Sequence, residues 1–250
     1  FVKAFNAALQ IPIEYDSVAY HLPFIAEWLQ TGVLNKLYYS AFAGPISYYP
    51  SNYELLDLWS FLPFRNDFFA NLINFPLFII LGVVLWRVLR NFGVDKNTAL
   101  ISTAIPFYMP IFLHQAGLPL VDLFFALLFV ISIYFLQEIY NSGEKNYSDF
   151  LFFGLSIGLF IGTKYLGLIY GTVIVLLLLG IAFFQAKRKK INFLKAGLTT
   201  LIWILLTGSF FYIRNWIDSG NPLFPVDLTL FGFNLLEGYK GAGVNEMLTN

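Results

Sequence analysis

Six long apolar segments constrain what this chain can fold into more than any other feature of the sequence. A helix that crosses a membrane needs about 17 to 25 mainly apolar residues. Six segments reach or approach that length: 69–86, 99–113, 123–140, 150–163, 165–184 and 195–213. Only 12% of the 250 residues are charged, about half the share in an average soluble domain. The sequence therefore predicts an all-α polytopic membrane protein.

The apolar segments divide the chain into three parts. We expect residues 1–68 to form an extracytoplasmic loop with two juxtamembrane helices, whose amphipathic patterns cover 18–30 and 52–62. Residues 69–213 are predicted to form a transmembrane bundle of about six helices, and residues 214–250 a second extracytoplasmic segment. The chain starts without methionine and ends without a stop-like tail, so we expect a fragment with further spans at both ends.

The distribution of basic residues predicts the orientation of the bundle. Nine of the 15 Lys and Arg residues fall on one side of the six spans, including the run 187–190, and six fall on the other. Lys and Arg in short loops mark the cytoplasmic side. We therefore expect a prokaryotic plasma membrane protein whose site faces outward. The zero net charge gives no basic field for nucleic acid, so no nucleic-acid partner is expected.

The predicted extracytoplasmic loop begins with a cluster of polar residues. Asp16 could cap the helix that follows it, or act as a general base at the apolar boundary. Glu14 could hold a cation or share the proton of Asp16, and His21 could be an interfacial hydrogen-bonding residue or a functional one. A divalent metal bound by Glu14, Asp16 and His21 stays open, because no spacing here is diagnostic of a metal site. No other cofactor is expected.

Four further polar residues fall on the same predicted side. Glu54 comes three residues after Ser51, which is the spacing of a capping box. Asp122 and Lys164 lie at the ends of spans, where ionisable groups usually face a bundle interior or a cavity. Lys164 and Arg214 could simply extend to the interface, or could bind a phosphate group as a point charge and a bidentate donor. Two cations near a carboxylate suit a lipid-phosphate ligand.

Two local patterns concern the helices themselves. Gly154, Gly158 and Gly162 recur every four residues, which lets another helix approach the backbone closely. Pro106 and Pro110 should kink or loosen the second span near its end. We therefore predict one tightly packed helix pair and one irregular span.

Short motifs follow one another on the predicted extracytoplasmic side. They are Asp16-Ser17-x-x-Tyr20-His21-Leu22-Pro23, Trp28-Leu29-x-x-Gly32, Tyr49-Pro50 with Glu54-Leu55-Leu56, Gly162-Thr163-Lys164-Tyr165, and Arg214-Asn215-Trp216 with Gly220-Asn221-Pro222-Leu223-Phe224-Pro225. Together they resemble the multi-spanning lipid-carrier-dependent glycosyltransferases, a group similar to protein mannosyltransferases and to the aminoarabinose transferase of lipid A.

The resemblance implies a helical bundle of the GT-C type and an enzyme that moves a hexose or pentose from a polyprenyl-phosphate donor to an acceptor hydroxyl. It implies that Asp16 is the general base, although Ser17 stands where the family often has glutamate. The remaining positions carried over as substrate-binding are Glu14, Tyr20, His21, Glu54, Asp122, Lys164, Arg214 and Asn215. The partners implied are the lipid-linked donor, membrane lipid, and an acceptor protein, lipid or glycan.

A transporter or flippase for a lipid-linked or small solute is the alternative function. Such proteins show internal repeats, broken helices and charges near the membrane midplane. The chain has the two prolines in its second span, but no internal repeat is visible and its charges lie at the ends of the spans. This pattern favours the enzyme.

Overall fold

The computed structural model describes residues 6, 10–34, 36, 43–64, 66–141, 146–187, 191–231 and 233–239. Helices dominate this part of the chain. The first part contains a π-helical turn Ser17–His21, α1 Leu22–Thr31, α2 Ala43–Ile46, α3 Asn52–Phe61 and a 3₁₀ turn Ala70–Leu72. The predicted basic run at 188–190 and the end of the predicted segment 214–250 lie outside the described residues.

Seven helices follow in the predicted transmembrane region. They are α4 Asn74–Asn91, α5 Lys96–Tyr108, α6 Pro110–Gln115, α7 Val121–Asn141, α8 Tyr147–Ile161, α9 Leu166–Lys187 and α10 Phe193–Gly208. In space α4 packs between α5 and α7, α8 packs between α7 and α10, and α9 covers α8 and α7. The chain continues into α11 Phe210–Ser219 and an antiparallel hairpin of β1 Leu228–Leu230 and β2 Phe233–Leu236. The all-α polytopic prediction is confirmed.

Each predicted span overlaps a helix, but the helices differ in length. Within the described residues, three helical stretches are long and apolar enough to cross a membrane: 70–91, α7 and α9. A fourth is added if α10 and α11, which meet at a 60° bend, are counted as one span. Helix α8 is apolar but has only 15 residues.

Two spans are interrupted, for different reasons. The second stops at Tyr108 and resumes at Pro110, because Met109 takes an extended conformation ahead of the proline. This confirms the predicted irregularity. The last predicted span, 195–213, is bent, since α10 ends at Gly208 and α11 continues at 60° to it. A Cβ at Gly208 would lie 2.6 Å from the backbone oxygen of Gly158, so α10 packs closely against α8 at this point.

Side chains cap the first turns of two helices. Asp95 caps α5 and accepts hydrogen bonds from the backbone N–H groups of Asn97 (3.0 Å) and Thr98 (3.1 Å). Asn146 caps α8 and accepts from the backbone N–H of Ser148 at 3.2 Å. Ser148 is already the second residue of the helix, so it donates to the cap instead of providing it.

Helix α3 faces the protein with its polar side. Tyr53, Glu54 and Asp57 are buried, whereas Trp59 is 75% exposed. Asn52 holds the start of the helix at the bundle, because its Nδ2 donates to the backbone oxygens of Leu159 (3.2 Å) and Thr207 (2.9 Å). A helix lying freely on the membrane would turn its carboxylates to water. Here the carboxylates face the bundle, and Trp59 is the side chain of α3 that points away from it.

The predicted close helix pair is α8 with α10. A Cβ at Gly158 would lie 2.0 Å from Thr207 Oγ1 and 2.8 Å from the backbone oxygen of Ile204. At Gly154 it would lie 2.5 Å from the backbone oxygen of Thr200. Small residues at four-residue spacing therefore allow backbone-to-backbone contact, as the sequence predicts.

We expect Gly158→Ala to destabilise the protein by about 1–3 kcal/mol, because the added methyl must displace the backbone of α10. Gly197→Ala in α10 is the matched control, since a Cβ there meets nothing within 4 Å and alanine favours the helix by up to about 1 kcal/mol. Thermal unfolding in detergent measures both. Equal unfolding temperatures for the two variants would contradict the close contact.

Candidate active site

The candidate site lies at one end of the bundle, where α3 meets the starts of α4 and α7. Asn74, at the start of α4, fixes the segment between α6 and α7 in place. Its Nδ2 donates to the backbone oxygens of Gln115 (3.2 Å), Leu118 (2.7 Å) and Leu120 (2.7 Å). This buried amide orders an irregular segment that leads directly into Asp122, and it thereby fixes the backbone that carries the Asp122 side chain.

His21 and Glu54 form a buried pair between the π-helical turn and α3. The imidazole Nδ1 and the carboxylate Oε1 share a short hydrogen bond, and the residues are only 2% and 4% exposed. The ring of Tyr53 meets the imidazole edge-on, with centroids 5.7 Å apart. The predicted capping box is wrong, because among the described residues Ser51 makes no side-chain cap contact and Glu54 turns to His21 instead.

A cavity of about 300 Å³ opens beside this pair. Several of the predicted site residues line it together with aromatic rings: Tyr20, His21, Phe24, Tyr49, Glu54, Lys164 and Tyr165. Small-molecule sites are concave, largely apolar, and carry a few well-placed polar groups. The cavity has that composition, and its size suits one small ring.

Asp16 precedes the π-helical turn and connects to the cavity through Tyr20. The predicted cap is wrong, since Asp16 has helical backbone angles and its side chain makes no cap contact within the described residues. Its exposed carboxylate lies near the Tyr20 phenol. Burial first, and then the charges of Asp16 and Glu54, raise the pKa of Tyr20 well above its usual range. Tyr20 is therefore uncharged and lies near both carboxylates.

Asp122 and Lys164 form an ion pair at the rim of the cavity. One carboxylate oxygen contacts the ammonium group, and the other accepts a hydrogen bond from Gln115 Nε2 at 3.2 Å. The side chain of Lys164 is 32% exposed and that of Asp122 is 57% exposed. The pair is thus reachable by a ligand, which agrees with the expectation that both residues face a cavity.

Glu14 is turned to a different neighbour. Its Oε2 lies 3.8 Å from Nε2 of His114, whereas His21 is taken by Glu54. Within the described ranges, no three His, Cys, Asp or Glu side chains come close enough together to hold a metal ion. The structure therefore does not bring together the three ligands considered for a divalent metal, Glu14, Asp16 and His21.

Arg214 and Asn215 lie behind the cavity. Arg214 Nη2 donates to the backbone oxygen of Ser47 at 2.9 Å. Asn215, which is fully buried, donates from Nδ2 to the backbone oxygen of Tyr48 (2.7 Å) and to the Tyr165 hydroxyl (3.1 Å). Burial raises the pKa of Tyr165, and the Arg214 charge partly opposes this. Tyr165 therefore separates these two residues from the cavity that it lines.

Asp57 is a buried acid that sequence reasoning did not select. It is fully buried one helical turn after Glu54 and accepts a hydrogen bond from Ser60 Oγ at 3.1 Å. Burial, with a further contribution from the Glu54 charge, raises its pKa from the ordinary 3.8 to about 7. The spacing of three residues was the available signal, because it places both carboxylates on one helix face.

The raised pKa of Asp57 predicts that the stability of the folded protein depends on pH. The folded protein keeps the Asp57 proton between about pH 4 and 7, where the unfolded chain loses it. The stability linked to this group is therefore complete below about pH 4, falls as the pH rises to about 7, and then stays constant. We expect Asp57→Asn to remove this fall, worth up to about 4 kcal/mol.

Thermal unfolding of wild type and Asp57→Asn between pH 4 and 8 measures this dependence. The variant should gain on wild type as the pH rises, whereas the exposed Asp67→Asn should follow wild type throughout. Parallel curves for Asp57→Asn and wild type would show that Asp57 ionises normally in the fold.

Fold and site together define a polytopic membrane protein with a small polar cavity at one end of its helices. The sequence model for dolichyl-phosphate-mannose-protein mannosyltransferases matches residues 21–217, more than three quarters of the chain. The chain therefore belongs to this family, as its motifs predict. It is a membrane glycosyltransferase whose family uses polyprenyl-phosphate-linked sugar donors. The match includes His21, Glu54, Asp122 and Lys164 but starts after Asp16. No curated protein and no solved structure matches the chain.

Proposed function

We propose that this protein transfers a hexose or pentose from a polyprenyl-phosphate donor to an acceptor hydroxyl on the extracytoplasmic face, with Asp16 as the general base. The observation that carries this proposal is the connection between Asp16 and the cavity. Asp16 lies close enough to Tyr20 for its charge to raise the pKa of the phenol, and Tyr20 lines the cavity beside Glu54 and Lys164. A base at an exposed rim next to a cavity with a few polar groups suits an acceptor that approaches from water.

The reaction is a single displacement. Asp16 takes the proton from the acceptor hydroxyl as its oxygen forms a bond to the anomeric carbon of the sugar. The bond from that carbon to the phosphate oxygen breaks, and the polyprenyl phosphate leaves with the electron pair. One displacement inverts the configuration at the anomeric carbon. A positioned general base contributes about 10²–10⁴-fold to such a step.

The leaving phosphate needs positive charge, and Lys164 is the cation at the cavity. Its ammonium group lies at the rim, with a third of the side chain exposed. Fixed charge at the position where negative charge develops is often the largest contribution to catalysis. Arg214, behind Tyr165, adds positive potential to the same region and orders the segment at Ser47. We assign the phosphate to Lys164, with Arg214 and Asn215 in support.

The cavity is proposed to hold the sugar of the donor. Its volume of about 300 Å³ is at the lower end of ligand pockets, so it accommodates one ring and not an oligosaccharide. Aromatic walls suit the apolar face of a sugar, and polar groups such as Glu54 suit its hydroxyls. The acceptor, whether protein, lipid or glycan, then needs only to present a hydroxyl at Asp16.

We infer the orientation in the membrane from the basic residues at the two ends of the bundle. Arg87, Arg90, Lys96 and Lys195 lie at the end opposite to the cavity, by the alternation of the helices. The basic end is cytoplasmic under the positive-inside rule, so we propose that the cavity faces outward from a prokaryotic plasma membrane. Asn91 and Glu138 at the basic end are joined by a hydrogen bond of 2.7 Å, which holds the ends of α4 and α7 together there.

Transfer of labelled sugar from polyprenyl-phosphate donors tests the proposed function. The full-length protein in membrane vesicles is supplied with a panel of donors, and the product is analysed for its anomeric configuration. Inverted product supports the proposal. Retained configuration would contradict the single displacement. Movement of a solute or lipid across the bilayer without transfer from any donor would favour the transporter instead.

A further inference from the structure

The Asp122–Lys164 ion pair holds the ammonium group to which the proposed function assigns the donor phosphate. Asp122 places one carboxylate oxygen on the Lys164 ammonium and accepts a hydrogen bond from Gln115 with the other. An ammonium group is a compact charge with three donors. A carboxylate and a phosphate compete for it, since both present anionic oxygens.

The pair can be opened at little cost. Its side chains are 57% and 32% exposed, and ion pairs in contact with water contribute little to stability. The phosphate of the donor is a diester between the lipid and the sugar, so it carries one negative charge, as a carboxylate does. The donor can therefore displace Asp122 from Lys164 when its lipid and its sugar are bound as well, while Gln115 remains as a partner for the displaced carboxylate.

The two residues also line different spaces. Lys164 lines the polar cavity. Asp122 and Gln115 line a neighbouring groove of about 300 Å³ whose other walls are apolar, formed by Ile111, Phe112, Leu123 and Ala126. The ion pair thus stands between an apolar groove and the cavity, which is where the phosphate of a lipid-linked sugar joins its two unlike halves.

We propose that Asp122 is an internal competitor for the donor phosphate. It neutralises Lys164 in the empty enzyme and yields the ammonium group to the phosphate of the donor. After transfer it competes for Lys164 with the polyprenyl phosphate product, a monoester whose greater charge would otherwise hold it there longer. Asp122 is then a release residue that acts through Lys164. This inference rests on the proposed role of Lys164 as the phosphate-binding residue.

The sign of one substitution separates this role from a structural one. If Asp122 competes with phosphate, Asp122→Asn frees Lys164 and removes a like charge, so polyprenyl monophosphate binds about three- to tenfold more tightly and dissociates more slowly. If Asp122 only holds Lys164 in position, the same substitution weakens binding. Asp149→Asn is the matched control, because Asp149 starts α8 at the opposite end of the bundle.

The experiment measures binding and dissociation of polyprenyl monophosphate with the full-length protein in lipid nanodiscs. Neutral polyprenol and inorganic phosphate are measured in parallel. Tighter binding of the monophosphate alone by Asp122→Asn, lost again in Asp122→Asn with Lys164→Met, supports the inference. A gain with inorganic phosphate alone would identify a free-phosphate site and overturn it.

Two failures remain distinguishable. Weaker or unchanged binding by Asp122→Asn, where Lys164→Met lowers wild-type binding, overturns the competitor role and leaves the phosphate assignment intact. Wild-type binding that Lys164→Met does not lower overturns the phosphate assignment, and the competitor role with it.

Discussion

Asp16→Asn should lower the rate of sugar transfer by about 10²–10⁴-fold, because an amide cannot take the proton of the acceptor hydroxyl. The fold should not suffer. The Asp16 side chain is exposed, so an amide of the same size is accommodated there. Donor binding should also persist, since Lys164 is unchanged. The loss should therefore appear in the turnover number and not in the donor affinity, which separates a chemical role from a binding one.

Transfer assays in vesicles measure turnover at saturating donor, and nanodisc binding measures affinity. Asp67→Asn is the control, because it makes the same exchange at an exposed residue of the segment that precedes α4. Near-normal turnover by Asp16→Asn would remove Asp16 from the chemical step. If Glu14→Gln abolished turnover in that case, the base would instead be Glu14, which the structure places opposite His114.

The sequence predicts the helices well because apolar length is a local property. Each of the six segments overlaps a helix, and the close contact of α8 with α10 follows from three glycines at regular spacing. The bend in the last span was not predicted, because counting apolar residues over 195–213 does not register the break at Gly208 and Ser209. The backbones at Gly158 and Gly208 lie in close contact there.

Sequence reasoning selected several of the residues that line the candidate cavity, but it did not identify the pairs that they form. His21 and Glu54 are 33 residues apart, and Asp122 and Lys164 are 42 apart. Local rules assign Glu54 to a capping box, and tertiary structure overrides them because a buried imidazole needs a partner. Asp57 was missed because the sequence alone does not show whether an acidic residue on a helix faces solvent or the protein interior.

The second large predicted effect is on stability and concerns the buried His21–Glu54 pair. Glu54→Leu leaves the buried imidazole without its acceptor, which costs about 1–3 kcal/mol if His21 is neutral and about 3–5 kcal/mol if it is protonated. The residues are 2% and 4% exposed, so water cannot replace the lost partner. We expect Glu54→Leu to lower the unfolding temperature strongly, and His21→Phe to do likewise, because it leaves the carboxylate unpaired.

The double variant His21→Phe with Glu54→Leu should be more stable than the sum of the single changes predicts, since two apolar side chains of similar volume can replace a buried polar pair. It should nevertheless transfer sugar poorly, because both residues line the cavity proposed to hold the sugar. Thermal unfolding and transfer assays on the four proteins of this cycle separate the two effects. Strictly additive stabilities would mean that the two side chains are not coupled. Normal transfer by a folded double variant would show that the cavity does not recognise the sugar through this pair.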